Sequence, residues 1–189
     1  MFRPDRDPWF VTGWDVKEFS YCPVIPWVRA NYGVVEPPTY SMGLGRDVGR
    51  GVREGVARRL NLPRPWRFEV FVEVRGEGLS GVVDVLAGRS WFAVVEVKAF
   101  RRSSGFEHFR DQLFFYSYIV SRVFGPVREA YLVLGGRVFR YLIDERVVGR
   151  VRELVRRVRE VKGSPRPPTP RPGFRCSFCW YRRYCPLGS

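Results

Sequence analysis

Three charges interrupt runs that are otherwise apolar: Asp84 in GVVDVL, and Glu96 and Lys98 in AVVEVKAF. Alternation along a strand puts Glu96 and Lys98 on one face. A carboxylate on each of two adjacent strands can hold a hard divalent cation such as magnesium or manganese, which takes oxygen ligands and keeps several waters. A lysine beside them can orient a water or stabilise charge on a phosphate. Together these groups meet the needs of phosphodiester hydrolysis, where a metal activates the nucleophile and neutralises developing negative charge. An E-x-K triplet alone also fits an ion pair on an exposed strand face. The apolar surroundings argue against that simpler reading, because an unpaired buried charge is costly.

A second constellation is sulfur. Cys22 stands alone near the start, and Cys176, Cys179 and Cys185 close the chain; there is no other cysteine. Thiolates are the ligands that iron–sulfur clusters and zinc select, and C-x2-C supplies two from one turn. One plus three would staple the two ends of the chain together. Two disulfides or unrelated buried thiols are the alternatives. The charged start MFRPDRDPWF is unlike a signal peptide and no apolar run has membrane-spanning length, so a cytoplasmic location is expected, where disulfides are disfavoured. The net charge of +14, from 33 basic and 19 acidic residues, is carried almost wholly by arginine, since only Lys17, Lys98 and Lys162 are lysine. Guanidinium groups grip phosphate oxygens, which favours a polyanionic partner such as nucleic acid. Genomic base composition or thermal adaptation would also enrich arginine, and scarce amides (Asn31, Asn61, Gln112) fit a hot habitat.

The elements that must position these groups follow from pattern. Residues 13–21 predict a short helix before Cys22-Pro23, and Met42 to Leu60 a second, weakened by five glycines. Trp66–Arg75, Leu79–Leu86 and Trp91–Ala99 predict an antiparallel meander. Phe106 to Val123 predicts a helix on which Gln112 and Tyr116, four apart, share a face; the alternative is an aromatic core helix whose one amide points outward. Arg128–Leu134 and Val138–Ile143 flank Gly135-Gly136 as a hairpin. A last helix carries the stripe Val147, Val148, Val151, Leu154, Val155, Val158 and Val161. Ser164–Pro172 holds five prolines and predicts an extended strap.

Asp84, Glu96-Val97-Lys98 and Gln112-x3-Tyr116, in that order and spacing, resemble the RecB-type branch of the PD-(D/E)XK nuclease superfamily. With Cys22 and Cys176-x2-Cys179-x5-Cys185 the chain resembles the iron–sulfur members: AddB-like nuclease domains and, at this short length, the CRISPR-associated RecB-like exonucleases, the Cas-four family. The resemblance implies an α/β fold with a restriction-endonuclease-like mixed central sheet flanked by helices, and an iron–sulfur subdomain formed by both termini. The expected division is 1–41 for the first part of that subdomain, 42–163 for the nuclease core, and 164–189 for the strap and cysteine segment. It implies Asp84, Glu96 and the carbonyl of Val97 as ligands of Mn2+ or Mg2+, Lys98 positioning the water, and Gln112 and Tyr116 positioning DNA. Cys22, Cys176, Cys179 and Cys185 would hold a [4Fe-4S] or [2Fe-2S] cluster. Expected partners are DNA, single-stranded or with single-stranded ends, and CRISPR integrase proteins, in trimming DNA before spacer integration; no membrane is expected. A RecB-like repair nuclease and a non-catalytic DNA-binding subunit are the alternatives.

One feature departs from the family, which commonly places a metal-binding histidine on the early helix. The only histidine is His108, read here as a helix-start surface residue. The corresponding stretch is Gly45-Arg46-Asp47-Val48-Gly49, where either Asp47 or water would complete the shell.

Overall fold

The computed structural model describes residues 7–37, 48–98 and 106–186. A short strand β1 (Val11–Thr12) leads into α1 (Gly13–Tyr21), α2 (Val24–Tyr32) and, beyond an intervening stretch, α3 (Arg50–Arg59). Then come β2 (Trp66–Val74), β3 (Leu79–Gly88), β4 (Phe92–Lys98), α4 (Glu107–Val123), β5 (Val127–Leu134), β6 (Arg137–Leu142) and α5 (Glu145–Gly163). Two 3-10 turns, Phe174–Phe178 and Trp180–Tyr184, close the described chain.

The six strands form one mixed sheet in which β3 is central. β3 pairs antiparallel with β2 along one side; on the other it meets β1 in parallel at Leu79 and Ser80, then β4 antiparallel from Val85 to Gly88. β4 and β5 are parallel, joined through α4, as a crossover between parallel strands requires. Gly135 and Gly136, both at positive φ, make the two-residue turn between β5 and β6. The meander, the hairpin and the mixed sheet thus agree with the expected α/β architecture.

The helices cover both faces. α1, α4 and α5 pack on one face around Phe19, Leu113, Phe115, Ile119, Val151 and Val158, the principal core. α3 covers the other through Val56 and Ala57, against Val85, Val95 and Val97. α1 starts where the sequence places it because Thr12 and Asp15 cap each other reciprocally. The helix expected from Met42 begins, among the described residues, only at Arg50; Val48 and Gly49 are not helical, and Gly49 is its N-cap in extended conformation. The run 24–32, to which the sequence reading assigned no element, is helical: Pro26 is tolerated in its first turn, where the amide it lacks has no partner to lose. A third cluster joins α2 to the tail: Val24, Ile25, Trp27 and Val28 bury against Tyr181, with Cys22, Cys179 and Cys185 at its edge. The strap makes no regular structure. Among the described residues no helix is long and apolar enough to cross a membrane.

Candidate active site

The sheet opens at Asp84. β3 and β4 are paired only as far as Val85 and Val95, so Asp84 and Glu96 face each other one step past the last rung, in the mouth of a fork. There a side chain replaces the ladder: the amide of Val97 donates to Asp84 Oδ2 at 2.8 Å. On the opposite flank the β2–β3 pairing passes over Glu69 and Asp84, and Glu69 has φ of 51°, rare for a residue with a Cβ. Both strands change face across this step. Trp66 and Phe68 face the α3 side but Val70, Val72 and Val74 face the principal core; Leu79 and Val83 face the principal core but Val85 and Ala87 the α3 side. The matched irregularity preserves the register on either side while freeing Asp84 from both neighbours, a use of local strain common at functional sites.

Glu96, only 3% exposed, forms an ion pair with Lys98, Oε1 to Nζ at 2.5 Å, on the shared strand face that alternation predicts. Burial, opposed by the pull of Lys98 and reinforced by neighbouring Asp84, lifts its pKa to about 7. Burial alone would depress the Lys98 ammonium, yet Glu96 and Asp84 outweigh it and the net shift is upward. The centre is a buried carboxylate with a tight competition between proton and cation, poised to gain from a further positive charge.

Gln112 and Tyr116 meet on α4 as their spacing requires: Gln112 Nε2 donates to the Tyr116 hydroxyl at 3.0 Å, and both are buried. Tyr116 has its pKa raised well above the usual phenol value, first by burial and then by Glu96 and Asp84, which brings its hydroxyl into the electrostatic reach of the fork. Gln112 Oε1 is buried without a hydrogen-bond partner among the described residues. The tyrosine ring sits in a slot of two glycines. A Cβ on Gly13 would lie 2.2 Å from Tyr116 Cε1, and one on Gly81 would lie 2.5 Å from it. Sequence reasoning missed both, although a glycine inside the strand run LSGVVDVL is a sign of close approach.

It also missed Arg53. α3 does reach the centre, but with a guanidinium: Arg53 Nη2 lies 3.2 Å from Asp84 Oδ1 and 3.3 Å from Glu69 Oε1. Asp47 lies outside the described residues. His108, half-buried in the first turn of α4, stands edge-on to Tyr21 with ring centroids 5.5 Å apart, beside the cysteines.

The sequence profile of the PD-(D/E)XK nuclease superfamily matches residues 27–186, most of the chain and all of the fork. The chain belongs to the PD-(D/E)XK nuclease superfamily. Solved structures of low identity share its fold. A putative exonuclease from Eubacterium rectale has a TM-score of 0.59 at 11% identity, over 97% of this chain and 90% of its own. LHK-Exo in complex with dAMP has 0.56 at 14%, over 81% and 88%. The same alkaline exonuclease from Laribacter hongkongensis in a second structure has 0.54 at 12%, over 83% and 89%. No curated protein matches the chain in sequence. Nucleases of this superfamily use divalent cations such as magnesium or manganese.

The cysteines lie apart from this PD-(D/E)XK centre. All four are free thiols, half-buried, and all line one cavity of about 520 Å3 walled by Val24, Ile25 and the strap residues Pro170 to Pro172. Burial, and then the neighbouring Cys22, Cys176 and Cys185, push the Cys179 thiol up, while a backbone hydrogen bond from Tyr181 opposes them. Among the described residues no three His, Cys, Asp or Glu side chains converge tightly enough to hold a single metal ion.

Proposed function

We propose that this nuclease is a metal-dependent deoxyribonuclease that degrades DNA from its ends. The observation that carries the proposal is the fork: Asp84 and Glu96 open the sheet at one point, with Lys98 on Glu96 and the Gln112–Tyr116 pair at its wall. Asp84, Glu96 and the carbonyl of Val97 would hold magnesium or manganese. The bound cation would supply an acidified water and offset the charge that develops on the phosphate. Lys98, held by Glu96, orients the attacking water and offers an ammonium to the phosphate oxygens; it cannot itself be a ligand while protonated. Gln112, with a free carbonyl oxygen, and Tyr116, a neutral hydroxyl, position the DNA strand beside the fork. The exonuclease neighbours and the arginine-rich surface support DNA with free or single-stranded ends as substrate.

The decisive experiment compares linear and circular labelled DNA in Mn2+ or Mg2+, with Glu96→Ala alongside. Shortening of the linear DNA alone, abolished by Glu96→Ala, is the expected result. Cleavage that survives Glu96→Ala overturns the assignment, and nicking of closed circles overturns the exonuclease part.

The reading extends to the cysteines: Cys22, Cys176, Cys179 and Cys185 would bind a [4Fe-4S] or [2Fe-2S] cluster that ties α1 and α2 to the tail, the support being four free thiols on one cavity. A role in CRISPR adaptation, trimming DNA beside integrase proteins, rests on the resemblance of the motifs. A reconstituted integration reaction tests it: spacer precursors with overlong ends should be integrated only when the active nuclease is present.

A further inference from the structure

Both oxygens of Asp84 are taken. Oδ2 accepts the backbone amide of Val97, which is fixed by the sheet, and Oδ1 accepts from Arg53. Arg53 is 6% exposed, so its charge is held in place by α3 and by packing and is not a stray surface contact. Its Nε is buried with no hydrogen-bond partner among the described residues. Arg53 also acts on Lys98, opposing the rise in that ammonium's pKa, so the two cations flank the same pair of carboxylates. Glu69 offers the guanidinium a second acceptor, and at 61% side-chain exposure it lies at the outer edge of the fork.

A guanidinium stays protonated and has no lone pair, so it never ligates a metal. A cation arriving at Asp84 must therefore compete with Arg53 for Oδ1. Once displaced, the guanidinium has an unused Nε beside its Nη groups, the planar edge that grips a phosphate in bidentate fashion. We propose that Arg53 is a substrate-positioning residue of the centre: it holds Asp84 in the metal-free protein and passes to a DNA phosphate when a divalent cation takes the carboxylate, so that cation and DNA favour each other's binding. This rests on the nuclease reading above. Such coupling is reciprocal by linkage.

The test measures Mn2+ affinity of the full chain by calorimetry, with and without a cleavage-resistant phosphorothioate oligonucleotide. Wild type should bind Mn2+ about tenfold more tightly with the oligonucleotide. Arg53→Gln removes a positive charge from the centre and should bind Mn2+ roughly ten- to a hundredfold more tightly than wild type without DNA, while losing most of the oligonucleotide's effect. Arg53→Lys keeps the charge but not the fork; its Mn2+ affinity should stay near wild type and its oligonucleotide effect should fall. If Arg53→Gln fails to fold, Arg53→Lys alone decides, and an undiminished oligonucleotide effect overturns the proposal. So does Arg53→Gln with unchanged or weaker Mn2+ binding. Glu96→Ala separates the two levels: if it binds Mn2+ like wild type, the metal-centre reading fails and takes this proposal with it. If it loses Mn2+ while Arg53→Gln gains nothing, only the role of Arg53 is wrong.

Discussion

The fork and the cysteine cavity are both places where side chains of one kind are gathered, yet they are built in opposite ways. At the fork, every carboxylate already has a partner: Asp84 has Val97 and Arg53, Glu96 has Lys98. Strands of the central sheet hold these groups, and the neighbouring core is continuous on both faces of the sheet. At the cavity, four thiols face an open space, carried by the end of α1 and by short 3-10 turns with few ladder hydrogen bonds. The first site is complete as protein and needs a cofactor only to react. The second, if it holds the proposed cluster, would draw part of its stability from that cluster, since ligand binding free energy there is folding free energy.

A crossed experiment tests that contrast and carries the largest effects. Glu96→Ala should abolish cleavage and leave iron content near wild type, with a moderate fall in melting because the Lys98 ammonium loses its partner. Cys22→Ala or Cys185→Ala should do the reverse: iron is lost and melting falls steeply, while the nuclease core retains its sheet. Iron and sulfide analysis with calorimetry on anaerobically purified protein reads both. A cysteine variant with unchanged iron and melting would erase the distinction between the regions.

Next in size is the glycine slot. Gly81→Ala puts a methyl against the Tyr116 ring, and overpacking of this kind costs about 1–3 kcal/mol. The ring must move, so cleavage should fall about tenfold or more while the cysteine cavity, remote from Gly81, keeps its iron. Equal loss of both would show that the two regions are coupled.

How much of this could be read in the chain depended on whether the signal was local. Period-two alternation located β4 with Glu96 and Lys98 on one face, and the four-residue spacing of Gln112 and Tyr116 placed both on α4 in contact. The glycine pair 135–136 gave the hairpin. The matched change of face at Glu69 and Asp84 was not legible, because each strand alone still shows plausible alternation and only their pairing reveals the shared step. Arg53 was hidden by composition: it precedes Val56 and Ala57 by three and four residues and so shares the face that α3 buries, but in so arginine-rich a chain one inward guanidinium did not stand out. The early helix was expected to supply Asp47 or leave the place to water; Asp47 lies outside the described residues, and what α3 brings to Asp84 is a cation, Arg53. The tail's cysteines were legible by spacing, whereas the helix α2 that packs against them, with Pro26 in its first turn, was not assigned.

The pH dependence offers a smaller, graded test within the fork. Folding raises the Glu96 pKa from 4.5 to about 7 in the metal-free protein, chiefly by burial, so between those values the folded state holds a proton that the unfolded chain has released. Stability from this group is therefore greatest at low pH and declines as pH rises toward 7, on the order of 1 kcal/mol per pH unit. In chelator, Glu96→Gln, which cannot ionise, should flatten this part of the melting profile. Saturating Mn2+ should also reduce the slope in wild type, since the charged carboxylate then has a ligand. A wild-type profile that rises over the same range would refute the buried, unmetallated carboxyl.

The smallest expected effect belongs to His108. Its ring is edge-on to Tyr21, the residue before Cys22, and 4.0 Å from the ring centroid of Phe109. Those contacts tie it to the cysteine side of α4, one turn from Gln112 but facing a different neighbourhood. Losing an edge-to-face aromatic pair costs about 0.5–1.5 kcal/mol, so His108→Ala should lower melting by a few degrees at most. Cleavage rate and Mn2+ affinity should stay within about twofold of wild type. If His108→Ala instead removed Mn2+ binding while the protein stayed folded with its iron, the histidine would serve the fork, and the two sites would share a residue across the first turns of α4.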